Sequence, residues 1–133
     1  MPSSSPTTER YLLDTSAILA HVLNEAEAPR VAAICKQAAI PFMAYYELYA
    51  ALWTKFGQAK ADHTVAAIRE WHLPWIWPSE ESVLLAGRWR VRHRLGLADA
   101  FIAALAFTHH LTLVTKDLDF LILQSDLKLL YLR

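Results

Sequence analysis

The chain has 133 residues, 55% of them hydrophobic, and its formal net charge is zero. This length suits one domain with a substantial core, and the high apolar content excludes a largely disordered chain. A neutral chain has no global field that draws it to nucleic acid or membrane, so any nucleic-acid contact must come from a local patch. The surplus of apolar residues also favours self-association.

The first residues and the cysteine content indicate where the protein works. The single cysteine, Cys35, excludes an internal disulfide and fits a reducing compartment. The segment MPSSSPTTER lacks the apolar core of a signal peptide, so we expect a flexible tail over residues 1–9 and a single domain over 10–133. No apolar stretch reaches the roughly 20 residues that cross a bilayer. These features predict a cytoplasmic protein that does not enter a membrane.

Apolar periodicity and turn residues predict strands that alternate with helices. The predicted elements, in chain order, are a strand over 11–13, a helix from 15 to about 24, a helix over 27–39, a strand over 40–42, a helix over 45–56 that stops at Gly57, a helix over 59–71, a strand over 73–77, a helix that opens at 79–81 and breaks at Gly96, a helix from about 98 to 110, and strands over 111–115 and 129–132. This alternation predicts an α/β protein with a three-layer α/β/α fold, in which helices enclose a central, mainly parallel sheet of four to five short strands.

Three acidic residues stand isolated in long apolar runs. Asp14 lies in YLLDTSAILAHV, Glu47 in IPFMAYYELYAALW and Asp99 in LGLADAFIAALAFT. A carboxylate taken out of water costs several kcal/mol or gives up its charge unless something compensates it. None of the three runs contains Lys or Arg, so a bound cation is the expected counter-charge.

The isolated acids are expected to meet at one edge of the sheet. Asp14 follows the first strand and Asp117 follows strand 111–115 by two residues, so both belong at the carboxyl edge, where such sheets bind ligands. Glu47 and Asp99 lie near helix starts and can reach that edge. Two bare carboxylates ~4 Å apart repel by on the order of 4 kcal/mol at an effective dielectric of ~20. An oxygen-only ligand set suits Mg²⁺, or Mn²⁺, rather than zinc, and it suggests phosphodiester hydrolysis.

Four segments, in this order, resemble the motifs of the PIN-domain nucleases: LLDTSAIL, YYELYAAL, LADAFIAALA and LVTKDLDF. Within that family the chain is most similar to the VapC-type toxins of bacterial toxin–antitoxin pairs, from about Tyr11 to the C-terminus. The resemblance implies a PIN-like fold and a Mg²⁺-dependent endoribonuclease that cleaves RNA, forms a homodimer and is blocked by a cognate antitoxin. It implies that Asp14, Glu47, Asp99 and Asp117 form the catalytic acidic cluster. Our hypothesis is that Asp14, Asp99 and Asp117 hold the metal directly or through water, while Glu47 ligates it or orients a metal-bound water.

The resemblance also assigns residues around these acids. Ser16 matches a polar position just after the first aspartate, and Thr115 matches a hydroxyl position that borders the site. In LVTKDLDF the family pattern places the site residue at Asp117 and treats Asp119 as a structural residue.

Each acid also has a structural explanation. Asp14 is a good N-cap for the helix that follows it, and Glu47 would be ordinary on the solvent side of a half-buried helix. Asp99 would be favoured by the helix dipole in the first turn of its helix, and turns commonly contain aspartates such as Asp117. The isolation of the acids and the order of the motifs favour the metal site.

A basic cluster precedes Gly96, with Arg90 and Arg94 four residues apart on one predicted helix face. These two arginines could contact the RNA backbone, or the cluster could be a solvated helix face. Lys116 could bind phosphate or face solvent.

Two further groups have structural explanations that we prefer. Trp71, Trp75 and Trp77 flank a short strand, which favours core packing or a dimer surface over base stacking. His109 and His110 are adjacent and point in different directions on a helix, which favours a helix end over a metal pair.

Other functions fit parts of the sequence. A phosphoacceptor receiver domain also gathers acids at strand ends, but it needs an adjacent acidic pair after the first strand, where LLDTS has one acid. A PIN module that binds RNA or protein without cutting is opposed by the four intact acids. A PIN nuclease of RNA processing is the remaining alternative, and the small size of the chain favours the toxin.

Overall fold

The protein structure, a computed structural model, describes residues 9–132. The predicted tail over 1–9 lies outside the described residues except for Glu9, so the tail and the domain boundary stay predictions. Glu9 is exposed, and its carboxylate accepts a hydrogen bond from Thr112 Oγ1 at 2.8 Å.

Five parallel strands form one sheet within residues 9–132. They are β1 (Tyr11–Leu13), β2 (Ala38–Pro41), β3 (Trp75–Ile76), β4 (Thr112–Thr115) and β5 (Leu129–Tyr131), in the order β3-β2-β1-β4-β5. Every residue of β2 and β4 is buried. Because successive side chains of a strand point to opposite faces, both faces of the sheet are covered. The predicted α/β/α fold with a parallel sheet is confirmed.

Helices occupy the connections of the described chain. The α-helices are α1 (Thr15–Val22), α2 (Ala28–Ile34), α3 (Phe42–Phe56), α4 (Gln58–Arg69), α5 (Glu80–His93) and α6 (Leu97–Thr108), and 3₁₀ helices cover Cys35–Gln37 and Leu118–Leu123. As predicted, α3 stops at Gly57, whose φ of +92° favours glycine, and His109 forms the C-cap of α6. Between residues 9 and 132, no helix combines the length and the apolarity needed to cross a bilayer.

The predicted helix over 27–39 is wrong at its C-terminal end. α2 stops at Ile34, and β2 begins at Ala38, so Ala38 and Ala39 lie in the sheet, in register with Tyr11 and Leu12 of β1. Alanine favours helix locally, but both alanines are almost fully buried between β1 and the next strand. Tertiary burial therefore overrides local propensity here. The strand also ends one residue earlier than predicted, and α3 begins at Phe42.

The chain changes direction across the sheet between β1 and β4. From β1 it moves outward to β2 and β3, and it then crosses back through α5 and α6 to β4, on the other side of β1. Ligands of open α/β sheets bind at such a switch point, outside the carboxyl ends of the strands. Asp14 directly follows β1, and Thr115 ends β4 at this point.

Candidate metal centre

Asp14 is a buried acid whose two carboxylate oxygens are both hydrogen bonded. Only 4% of the residue is exposed, and its backbone N–H donates to the Val114 carbonyl of β4 at 3.1 Å. One carboxylate oxygen accepts the backbone N–H of Ser16 and caps α1, and the other accepts the hydroxyl of Thr115. Asp14 is therefore both the N-cap of α1 and a buried acid.

Thr115 connects Asp14 to Asp117. Its Oγ1 donates to Asp14, accepts the backbone N–H of Asp117 at 2.9 Å and lies 3.3 Å from Ser16 Oγ. Ser16 Oγ in turn accepts the backbone N–H of Lys116 at 2.9 Å. These bonds hold the loop after β4 against the start of α1, so the two hydroxyl residues fix the positions of the strand-end acids.

Three more carboxylates gather nearby. Asp99 in the first turn of α6, Asp117 and Asp119 each offer an oxygen within 4.8 Å of the other two. Asp117 caps the 3₁₀ helix Leu118–Leu123 and accepts the backbone N–H of Asp119 at 2.9 Å. Asp119, given only a structural role by the family pattern, also presents its carboxylate to this group. In the sequence, the second aspartate of the segment DLD was the signal for this position of Asp119.

Glu47 lies on α3 and is tied to the start of α1. Its Oε1 accepts a hydrogen bond from Thr15 Oγ1 at 2.7 Å, and Thr15 directly follows Asp14. Glu47 is partly buried rather than fully solvent-facing, and its charge helps to raise the pKa of Asp99. The sequence does not indicate that Thr15 is the partner of Glu47, because a contact across 32 positions leaves no local signal.

Two carboxyl groups of this cluster hold their protons unusually tightly. Burial raises the pKa of Asp14 to about 6 in spite of its hydrogen bonds, and the charge of Asp117 adds to the effect. Burial, together with the charges of the neighbouring acids, raises the pKa of Asp99 to about 7. These acids are Asp117, Asp14, Glu47 and Asp119. Without a counter-charge, the cluster is therefore costly to ionise at neutral pH.

The donor set of this cluster fits a divalent cation. Asp99, Asp117 and Asp119 bring carboxylate oxygens together, and carboxylate oxygens are the ligands that hard cations prefer. Asp14 is not in that close group, but its charge acts on Asp99. A bound cation would supply the positive charge that the raised pKa values of Asp14 and Asp99 indicate.

Lys116 is engaged by two acids beside the cluster. Its Nζ lies 2.9 Å from one oxygen of Glu25 and 2.9 Å from one oxygen of Glu27. The hydrogen bonds to Glu27 and Glu25 raise the pKa of Lys116. A phosphate would compete with both glutamates for this ammonium group, and the predicted contact of Lys116 with RNA stays a prediction.

The basic cluster differs from its prediction at one end. α5 ends at His93, and Arg94 has a left-handed φ of +56°, so Arg90 and Arg94 do not share a helix face. Arg90 Nη1 donates to the Leu95 carbonyl at 3.4 Å. Both arginines are exposed, and their contact with RNA stays a prediction.

Comparisons with known proteins agree with the motifs. The family model of the PIN domain matches residues 11–124. No curated protein matches the sequence.

Several solved structures resemble the chain. The DNA-bound VapBC of Salmonella typhimurium has a TM-score of 0.78 at 16% identity and covers 95% of this chain and 100% of that one. VapBC2 of Rickettsia felis, bound to a promoter DNA fragment, has a TM-score of 0.75 at 18% identity, and the match covers 91% of this chain and 97% of that one. VapC20 of Mycobacterium tuberculosis, described as a toxin that cleaves the sarcin–ricin loop, has a TM-score of 0.72 at 19% identity. The match covers 84% of this chain and 93% of that one.

At these identities the structural likeness shows the fold. The family model spans nearly the whole chain and includes Asp14, Glu47, Asp99 and Asp117. The chain therefore belongs to the PIN-domain family, as its motifs predicted.

Proposed function

We propose that this protein is a Mg²⁺-dependent endoribonuclease and the toxin of a toxin–antitoxin pair. The observation that carries the proposal is the gathering of acids from separate elements, Asp14 after β1, Glu47 on α3, Asp99 on α6, and Asp117 with Asp119 after β4. Such a set of carboxylates repels itself strongly unless a cation binds. The similar VapC20 of M. tuberculosis is described as a toxin that cleaves the sarcin–ricin loop, which supports a nuclease activity.

In this proposal Asp14, Asp99 and Asp117 hold Mg²⁺, with Mn²⁺ as the alternative ion and Asp119 as a further candidate ligand. When bound, the cation would neutralise charge on the phosphodiester and lower the pKa of a water molecule. Glu47, anchored through one oxygen by Thr15, would use its other oxygen to orient the attacking water and accept its proton.

Thr115 and Ser16 act as positioning residues in this proposal. Thr115 donates to Asp14 and receives the N–H of Asp117, so it keeps two proposed ligands at a fixed separation. Hydrogen-bonded partners of this kind orient the ligands of metal sites in general.

Partner proteins are also part of the proposal. Similar solved structures include toxin–antitoxin complexes, which supports a cognate antitoxin that covers the site. A homodimer is supported by large apolar side chains exposed on α5, on α6 and on the 3₁₀ helix Leu118–Leu123. They include Leu84, Val91, Leu97, Leu118 and Ile122. The lone Cys35 is compatible with a cytoplasmic location.

The purified chain should cleave RNA in Mg²⁺ or Mn²⁺ and leave it intact in EDTA. Because the family resemblance implies 5′-phosphate products, the new ends should ligate directly in end-sequencing of the fragments. Addition of the antitoxin should suppress cleavage. RNA that stays whole in every metal tested would support a silent binding module instead, and cleavage that persists in EDTA would contradict the metal site.

Asp117→Asn should slow cleavage at least roughly tenfold more than Asp119→Asn. Asp117 is partly buried and its charge acts on both Asp14 and Asp99, whereas Asp119 is exposed. Single-turnover cleavage rates measured over a series of Mg²⁺ concentrations would compare the two variants. An equal or greater loss in Asp119→Asn would transfer the ligand role to Asp119.

A further inference from the structure

An aromatic cleft lies beside the carboxylate cluster, and the proposed chemistry does not use it. The cleft has a volume of about 540 Å³. It is lined by Phe42, Tyr45, Tyr46, Arg69, Trp75 and Trp77. Trp75 packs against the core as predicted, but Trp77 does not. Core packing therefore does not account for Trp77, and the dimer surface, the other explanation that we preferred, stays a prediction.

Two rings of the aromatic cleft are presented to solvent. Trp77 is 67% exposed and Tyr46 is 68% exposed, although aromatic side chains usually bury most of their surface. Trp77 is backed by Phe42, with ring centroids 5.8 Å apart and ring planes 26° apart. An exposed indole supported by a second ring on one side can receive a planar group on the other. Proteins bind unpaired bases on platforms of this kind.

The aromatic cleft and the acids share one edge of the sheet. Trp77 directly follows β3 just as Asp14 directly follows β1, and parallel strands end at the same edge. Only β2 separates these two strands, so they lie about 10 Å apart at ~4.8 Å per strand. Phe42 also contacts Phe101 of α6, with centroids 5.6 Å apart, and Phe101 follows Asp99 by two residues. Ring contacts therefore connect Trp77 to α6, the helix that carries Asp99.

The charge of the aromatic cleft suits a nucleotide. Its lining residues include the cation Arg69 and no carboxylate. Arg69 Nη2 donates to the Tyr45 hydroxyl at 3.1 Å, which holds the guanidinium group at the cleft and leaves further N–H groups for a phosphate. The acidic cluster nearby repels phosphate when no cation is bound. Arg69 can therefore attract the phosphates of the RNA strand at the cleft, whereas the acidic cluster repels them.

We propose that the aromatic cleft binds unpaired bases of the RNA strand next to the cleaved phosphodiester, with Trp77 as the stacking platform. This inference rests on the proposed nuclease function and adds to it a base-stacking subsite with one named platform residue, Trp77. Stacking tolerates any base, so the cleft selects for unpaired nucleotides rather than for one sequence. Trp77 and Tyr46 bind substrate and do not touch the reacting atoms, so their loss should raise KM and leave kcat nearly unchanged.

Trp77→Leu should raise the KM for an unpaired RNA roughly tenfold, and Trp77→Phe should restore most of the loss because it keeps a ring. The matched control is Trp53→Leu. Trp53 is also exposed, at 45%, and also contacts one aromatic ring, Tyr49, but it lies near the C-terminal end of α3. Thermal unfolding of each variant would show that the fold is retained. An unchanged KM in Trp77→Leu, or an equal rise in Trp53→Leu, would overturn the proposal.

Abasic substitutions in the RNA test the stacking directly. After the cleavage position is mapped, each nearby base is replaced in turn by an abasic sugar. In the parent protein, one such substitution should raise KM about as much as Trp77→Leu does. In Trp77→Leu the same substitution should add little, because the ring that the base contacted is gone. If every abasic loss simply adds to that of Trp77→Leu, the base does not stack on this residue.

Binding measured without cleavage separates this proposal from the nuclease proposal. Fluorescence anisotropy of a labelled unpaired RNA should give a roughly tenfold weaker Kd for Asp14→Asn/Trp77→Leu than for Asp14→Asn. Equal Kd values would overturn the cleft and leave the nuclease proposal standing. If the parent cleaves no RNA but Trp77 still strengthens RNA binding, the nuclease proposal fails instead. If Trp77→Leu changes only the oligomeric state or the binding of the antitoxin, the cleft is a protein interface and the RNA proposal is wrong.

Discussion

Asp14→Asn is expected to lower the rate of RNA cleavage at least about a thousandfold. The substitution removes one negative charge from the proposed cation ligands while it keeps the size and shape of the side chain. Charge stabilisation by a metal ion contributes several kcal/mol to the transition state, and each ~1.4 kcal/mol is a factor of ten in rate. Single-turnover cleavage at saturating Mg²⁺ measures the loss directly.

The fold of the Asp14→Asn variant should stay intact. Asparagine caps helices as well as aspartate does, so its Oδ1 can still accept the Ser16 N–H. Its NH₂ group would face Thr115 Oγ1, which can accept from it and donate instead to Ser16 Oγ, 3.3 Å away. The hydrogen bonds can thus reverse direction without a buried polar group losing its partner.

Asp126→Asn is the matched control for this prediction. It makes the same change of charge at an exposed aspartate that lies between the last 3₁₀ helix and β5. This control should cleave RNA at the parental rate. Comparable cleavage by Asp14→Asn and the parent would contradict the assignment of Asp14, and circular dichroism spectra would show whether a loss reflects unfolding.

Much of the fold and the position of the acids could be predicted from the sequence because both leave local signals. The strands are short apolar segments next to turn residues, and Asp14 follows one of them directly. Asp99 and Glu47 stand out because each is the only charged residue in a long apolar segment. Burial of a carboxylate without compensation is costly, so such a residue indicates a site. Residue type and position along the chain were enough for these inferences.

The remaining features depend on contacts between distant segments. Lys116 is paired with Glu25 and Glu27, which lie about ninety positions away, and no local pattern in the sequence predicts such a pair. Ala38 and Ala39 belong to the sheet because burial beside β1 outweighs their helix propensity. Arg94 ends α5 because its own backbone is left-handed, a conformation that is uncommon for arginine and that the sequence does not predict.

Without divalent cations, the free energy of unfolding is expected to fall as the pH rises from about 4 to about 7. Asp14 and Asp99 have ordinary pKa values of 3.8 in the unfolded chain, whereas burial and the charges of nearby carboxylates raise them to about 6 and about 7 in the folded protein. Between these limits the folded state binds more protons than the unfolded state, so raising the pH favours unfolding. Asp14 contributes about 3 kcal/mol of this loss, since one pKa unit corresponds to about 1.4 kcal/mol.

Urea unfolding in EDTA, at about pH 4.5 and about pH 8, measures this effect in the parent and in Asp14→Asn. The variant has no carboxyl group to ionise at this position, so it should equal the parent at the lower pH and exceed its stability at the higher one. Mg²⁺ should stabilise the parent at the higher pH, because cations bind the deprotonated ligands, and it should do little for the variant. If the metal-free parent is instead more stable at the higher pH, the hydrogen bonds from Ser16 and Thr115 outweigh the burial of Asp14. The case for a cation as its counter-charge would then lose its physical basis.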